Sequence, residues 1–187
     1  MANRNTQGFG LVPAGTLGST PATSGQGKYK IDAGSTTTIY NSAAVASNAG
    51  YIIDGQTTDA PILGVLNGIF YNAATTLKPT FANHYAQPIT PANSEDIDAF
   101  VFDNPQQQYV VATDDSVAQS GYLETYDMNT SAGDDTTGRS TATLDIGDTS
   151  ADAASWRLLR SAEDPENDEN AAFRSVVVDP NLIELQS

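Results

Sequence analysis

Residues 60–72 read Ala-Pro-Ile-Leu-Gly-Val-Leu-Asn-Gly-Ile-Phe-Tyr-Asn, the densest apolar run of the chain. Pro61 lacks a backbone N–H and suits the first position of a strand. The branched and aromatic residues after it favour the pleated conformation. Gly64 and Gly68 would each cost a helix about 1 kcal/mol relative to alanine, whereas in a strand they mark bulges or a close backbone approach. The run therefore predicts a long, bent strand at the centre of a β-rich core.

Short strand-like segments succeed one another along the rest of the chain. The segment 97–102 alternates weakly, with Phe100 and Phe102 on one face and Val101 on the other. Further segments of this kind are 28–31, 36–40, 43–46, 51–53, 80–87, 108–112, 122–126, 140–146, 156–160, 173–178 and 182–185. Turn signals about every 8 to 12 residues are typical of sandwiches and barrels. We therefore predict a mainly β fold, an antiparallel β-barrel or β-sandwich body with little helix.

The charge of the chain is strongly negative and unevenly distributed. The net charge is −15; residues 1–31 hold three basic residues and no acid, so residues 32–187 carry −18. An acidic body repels phosphate, which argues against a nucleic-acid partner. No apolar run reaches the roughly 18 residues of a membrane helix, and the first residues lack the apolar segment of a secretory signal. We expect neither nucleic acid nor a membrane as partner.

The first 27 residues differ in composition from the rest of the chain. Six glycines and two prolines interrupt this segment, too often for a helix or a long strand. Its few apolar residues are spaced like isolated anchors and offer too little area to offset the entropy of ordering. We predict an extended N-terminal arm over 1–27 that becomes ordered only on a partner, with a permanently disordered terminus as the alternative. The β-rich body would span 28–187, with a minor subdivision near residue 92 as an option.

Residue chemistry offers no strong catalytic or metal site. The chain has no cysteine and a single histidine, His84, which beside Tyr85 is more typical of a packed or half-exposed side chain than of a metal ligand. Most of the acids lie in turns, where aspartate binds local backbone. The acidic loop 163–170 makes calcium the least implausible cofactor, but its spacing does not fit an EF-hand. We expect no enzymatic activity and no cofactor.

Three groups of segments, taken in order along the chain, resemble the head decoration (cement) proteins of tailed bacteriophages. They are the opening 1–13 with 18–21 and the tyrosine-bearing 28–31; the run 62–71 with its return 81–85; and the hairpin from 156–159 to 171–178. The stretch 130–138 and the tail 180–187 depart from that pattern. The resemblance implies a non-enzymatic β-rich protein on the outer surface of a phage head, which staples neighbouring major capsid protein subunits after synthesis in the host cytoplasm.

The resemblance also directs the choice of partners and contact residues. Because capsid lattices offer local three-fold sites, we expect a homotrimer rather than a dimer. The expected capsid-contact residues are the apolar and basic side chains of the leader and first strand: Arg4, Phe9, Leu11, Val12, Leu17, Lys28 and Lys30.

Two other classes of protein compete with this interpretation. They are a carbohydrate- or host-surface-binding β module and a glycoside-acting enzyme. An exposed row of Trp and Tyr would favour the sugar binder. The chain has one tryptophan, Trp156, and its position among leucines predicts that it is buried.

Overall fold

The computed structural model of the protein describes residue 3 and residues 5–18, 25–55, 61–129, 133–147 and 154–186. Within this part of the chain, three short 3-10 helices lie at Ala92–Ser94, Gln119–Gly121 and Glu184–Gln186. The strands there are β1 (Val12–Thr16), β2 (Gly27–Ile31), β3 (Ala44–Asn48), β4 (Tyr51–Asp54), β5 (Gly64–Asn72), β6 (Pro79–Ala82), β7 (Ile97–Phe102), β8 (Gln107–Ala112), β9 (Thr125–Tyr126), β10 (Gly133–Asp134), β11 (Arg139–Ser140), β12 (Trp156–Ser161) and β13 (Ser175–Pro180). The protein is mainly β, as predicted.

Most of the strands form two antiparallel sheets, and β10 and β11 form a separate ribbon. Sheet I has the order β1-β8-β13-β12-β9. Sheet II has the order β2-β7-β5-β3-β4, with β6 paired to the second half of β5. The chain leaves sheet I after β1, builds sheet II through β7 and returns to sheet I at β8. The change of sheet therefore falls between residues 102 and 107, and the subdivision considered near residue 92 does not match it.

Sheet II curls strongly, so that its edge strands β2 and β4 come into contact. Its inner side closes on a core of its own. The bulge between Leu66 and Gly68 bends β5, as the two glycines predicted. The main members of this inner core are Ile31, Val45, Ile52, Leu66, Ile69, Ile97, Ala99 and Val101.

A second core lies between sheet I and the first part of β5. Trp156 is fully buried there, as predicted, and its ring meets Tyr109 edge-on with 5.6 Å between ring centroids. Val65 of β5 joins this core from sheet II. Two sheets that pack their apolar faces in this way give a sandwich-like body. Further members from sheet I are Val111, Leu158, Val176 and Val178.

The N-terminal segment is part of this body, so the prediction of a separate arm is wrong for residues 5–18. Leu11 is fully buried in the core between the sheets, and β1 pairs with β8 along the edge of sheet I. A Cβ on Gly8 would collide with the carbonyl oxygen of Thr141, and Gly10 has a φ of 70°. These glycines permit close packing and a left-handed turn; they do not indicate a mobile chain.

The side chain of Asn3 fastens the start of the chain to the acidic loop. Its amide nitrogen donates to the carbonyl oxygens of Asp168, Ala171 and Ala172 at 3.2, 3.3 and 2.8 Å. Its oxygen accepts a hydrogen bond from the backbone N–H of Asp168. The loop is therefore held by neutral amide contacts from a distant part of the sequence.

Several predicted strands are shorter in the structure or replaced by isolated bridges. In 36–40 only Ile39 pairs, with Tyr85. Of 122–126 only β9 is strand, and Leu144 in 140–146 bridges to Thr113 and Met128. The segment 182–185 runs into a 3-10 helix.

Candidate interaction surface

The outer side of sheet II is covered at one end of β5 and open at the other. Val65 and Phe102, which are register partners, pack against the core under sheet I. Further along, Gly68 is paired with Phe100, and Phe70 with Phe81. Because side chains alternate across a strand, Phe70, Phe81 and Phe100 lie on the same outer side as Val65. We call these three residues the phenylalanine face.

The phenylalanine face is apolar and accessible. Phe81 is 63% exposed, and its ring centroid lies 6.4 Å from that of Phe100. Gly68 leaves room for the Phe81 ring, since a Cβ at Gly68 would lie 2.7 Å from the ring's Cζ. Phe70 and Phe100 are half-buried. Contiguous apolar side chains that stay exposed on a folded domain often mark a site of interaction with another molecule.

Two lysines of β2 border this face. Lys28 is the register partner of Phe100, and Lys30 that of Asp98. Their Nζ atoms lie 2.7 and 2.6 Å from the two carboxylate oxygens of Asp98. Partial burial opposes ionisation of Asp98, but hydrogen bonds from both ammonium groups outweigh it and lower the pKa of its carboxyl. The hydrogen bond to Asp98 in turn raises the pKa of Lys30.

This arrangement suits binding rather than bond-making chemistry. Two ammonium groups share one carboxylate, and Glu95 and Asp96 also lie near Lys30, so the rim carries charges of both signs. An apolar centre with a charged rim is the usual composition of a protein–protein contact. The surface therefore fits a partner that offers apolar side chains surrounded by polar groups.

The residues predicted as capsid contacts lie in different parts of the structure. Leu11 is inside the core and cannot reach a partner, which corrects that prediction; the cause is the pairing of β1 with β8. Val12 and Phe9 are half-buried, and Leu17 is 44% exposed. Arg4 lies outside the described residues. Of the predicted contact residues that the structure describes, Lys28 and Lys30 border the phenylalanine face.

Sequence reasoning missed the phenylalanine face itself. A usable signal was present in β7, where Ile97, Ala99 and Val101 alternate with the aromatic residues Phe100 and Phe102. A strand that is apolar on both sides must be covered on both sides or must leave one side open to a partner. Nothing local in the sequence says where along the strand the cover ends.

The other residues considered for chemistry have structural roles. His84 is half-exposed, and its ring stacks on that of Tyr40 with 5.9 Å between the ring centroids. Its Nδ1 lies 2.8 Å from the side-chain oxygen of Asn83. In the acidic loop, carboxylates of Asp164 and Asp168 accept backbone N–H groups two residues on. Within the described ranges, no group of three or more His, Asp or Glu side chains is arranged to hold a metal ion.

Comparison of the chain with protein-family models, with curated proteins and with solved structures found no match. Among the residues that the structure describes, no helix has the length and apolar character needed to cross a membrane.

Proposed function

We propose that this chain is a structural virion protein, a decoration protein that binds the outer surface of a tailed-phage head. It stabilises contacts between major capsid protein subunits and acts without catalysis or a cofactor. The support is the order of the three resembling groups of segments along the sequence and a mainly β body. The observation that carries the proposal is the phenylalanine face with its lysine rim.

The phenylalanine face replaces the leader as the proposed capsid contact. Leu11 serves the core, whereas Phe81 gains little from folding because it is 63% exposed. Burying an aromatic side chain at an interface is among the larger single contributions to affinity. Lys28 and Lys30, both bonded to Asp98, add charged groups beside this face that can orient it on a partner.

A head lattice multiplies weak contacts. Several copies of one face on a homotrimer engage neighbouring subunits at a local three-fold site, so modest single contacts add up to firm attachment. The trimer is inferred from the symmetry of the lattice and from the family resemblance. In this scheme the protein is made in the host cytoplasm and works on the outside of the finished head.

The test is co-sedimentation of the purified chain with undecorated heads of the phage whose genome encodes it. We expect saturable binding by the wild type and at least a tenfold loss of affinity in Phe81→Ser. Leu123→Ser is the matched control, because Leu123 is 68% exposed but bonds to sheet I. Absence of wild-type binding, or a genome without a major capsid protein, would overturn the proposal.

A lysine footprint identifies the bound surface independently. The chain's three lysines are Lys28, Lys30 and Lys78, and all three belong to sheet II or its β5–β6 hairpin. Bound heads should protect them from acylation, while the exposed arginines Arg139 and Arg160 keep their reactivity toward a dicarbonyl reagent. Protection of the arginines alone would place the contact elsewhere. If glycans quench the fluorescence of the protein and the protein does not bind heads, the carbohydrate-binding class is favoured.

A further inference from the structure

The residues that follow β13 tie sheet I to sheet II, and we call residues 181–184 the strap. At the sheet I end, the backbone N–H of Asn181 donates to the carbonyl oxygen of Ser155, just before β12, at 2.8 Å. At the other end, the N–H of Glu184 donates to the carbonyl oxygen of Ile62, just before β5, at 3.0 Å. The strap therefore crosses the joint between the two sheets.

A carboxyl group is buried two residues before the strap. Asp179 of β13 is 6% exposed, and its Oδ1 has no hydrogen-bond partner within the described part of the chain. Burial opposes its ionisation more strongly than the nearby Arg157 favours it, so the pKa of the Asp179 carboxyl lies above its ordinary value. An ionised Asp179 is costly until a donor or water reaches the orphaned oxygen.

One arginine lies beside both Asp179 and the strap. Arg157 of β12 is the register partner of Asp179, so the two side chains project from the same side of sheet I. The guanidinium nevertheless bonds to the strap, where its Nη2 donates to Oδ1 of Asn181 at 2.6 Å. The amide nitrogen of Asn181 in turn donates to the carbonyl oxygen of Ala154 at 2.9 Å. Arg157 therefore has two competing acceptors and occupies the one on the strap.

The other titratable groups near this point leave Arg157 as the charge that matters most to Asp179. On the far side of β13, β8 carries no charged residue, and burial raises the pKa of its Tyr109 phenol, which stays neutral. Three carboxylates lie close to the strap, those of Asp103, Asp127 and Glu184. Arg157 is the charged group that acts most strongly on Asp179.

We propose that Asp179 and Arg157 form a proton-operated switch that controls the strap. While Asp179 is protonated, Arg157 stays on Asn181 and the strap is closed across both sheets. When Asp179 ionises, its carboxylate competes for the guanidinium, Asn181 loses its charged donor, and the open state of the strap gains population. This switch lies at the joint between the sheets and is independent of the proposed function.

Hydrogen exchange at the amide of Glu184 tests the switch, read as a protection factor so that the intrinsic pH dependence cancels. Because the pKa of Asp179 is raised in the folded state, its protonation adds stability as the pH falls through the folded value, and its ionisation removes that stability as the pH rises. Wild-type protection should therefore be higher at about pH 5 than at about pH 8.

Asp179→Asn imitates the protonated carboxyl and should fix the strap in its closed state. At about pH 7 it should raise protection at Glu184 at least threefold over wild type and remove the pH dependence. Asp164→Asn is the matched control, since it removes the same charge from an exposed loop position and should leave protection unchanged. Wild-type protection in Asp179→Asn would overturn the switch.

Arg157→Gln should give the opposite result, because the strap then lacks its charged donor at every pH. Protection at Glu184 should be low and should not recover on acidification. The amide of Leu66, which donates to Ala43 inside sheet II, reports opening of the whole body and should change little in either variant. A variant that tightens on acidification like wild type, or equal changes at Leu66 and Glu184, would contradict a local switch.

Discussion

The two ends of β5 present the same kind of side chain on the same outer side of sheet II, yet their surroundings differ. Val65 is fully buried under sheet I. Phe70 is half-buried and stands opposite the exposed Phe81. The covered end contributes to folding because its apolar area leaves water when the chain folds. The open end gains little, so its apolar residues are available for a partner.

The substitutions with the largest expected difference in stability introduce a carboxylate at each end of β5. Val65→Asp buries an unpaired charge in a packed core and should cost more than about 4 kcal/mol, enough to prevent folding. Phe81→Asp loses an exposed ring and one aromatic contact, so it should cost no more than about 1.5 kcal/mol. Urea unfolding followed by Trp156 fluorescence measures both. Equal losses would mean that the two ends are covered alike.

Alanine substitutions at the two glycines of β5 test the same contrast, with smaller expected losses of stability. A Cβ on Gly64 would collide with the backbone carbonyl oxygen of Phe102, which can move only with its strand, so Gly64→Ala should cost about 1–3 kcal/mol. A Cβ on Gly68 would lie closest to the far end of the Phe81 ring, which can swing into solvent, and its nearest backbone atom, the carbonyl oxygen of Ala82, would be 3.0 Å away rather than in collision.

Gly68→Ala should therefore cost less than about 1 kcal/mol. The displaced Phe81 ring should still weaken binding to heads. Denaturant midpoints and head co-sedimentation of the two variants provide the measurements. A Gly68→Ala protein as unstable as Gly64→Ala would show that the phenylalanine face is packed rather than open.

The smallest effect concerns the ion pairs at the open end. Asp98 has a lowered pKa in the folded state, so its contribution to stability is present above the ordinary aspartate pKa of about 3.9 and is lost as pH falls through the folded value. The lysines are largely exposed, so solvent limits the contribution to about 1 kcal/mol or less.

The comparison of wild type with Asp98→Asn isolates this contribution. The difference in unfolding free energy should shrink as the pH is lowered from 7 to 3, and as salt is added at pH 7. A difference that grows on acidification would contradict the assignment of Asp98 as the shared partner of Lys28 and Lys30.

The mainly β class and the positions of most strands along the chain were predictable because alternation is a local property of the chain. The segment 97–102 was predicted with the bounds that β7 has, and the glycine spacing in β5 predicted its bulge. Burial of Trp156 was also predictable from its neighbours. Among the predicted contact residues, Lys28 and Lys30 lie on a candidate surface because an alternating strand places them on one side.

Sequence by itself determined the positions of most strands in the two sheets, β1 excepted, and which residues on each strand share a side. Only the tertiary structure decided which sides are covered. The glycine-rich leader looked like a free arm, but pairing of β1 with β8 draws Leu11 into the core and makes Gly8 a site of close contact. The phenylalanine face stays open because sheet I covers only the first part of β5. Both outcomes depend on contacts between residues far apart in the chain, and no local pattern encodes where one sheet ends over another.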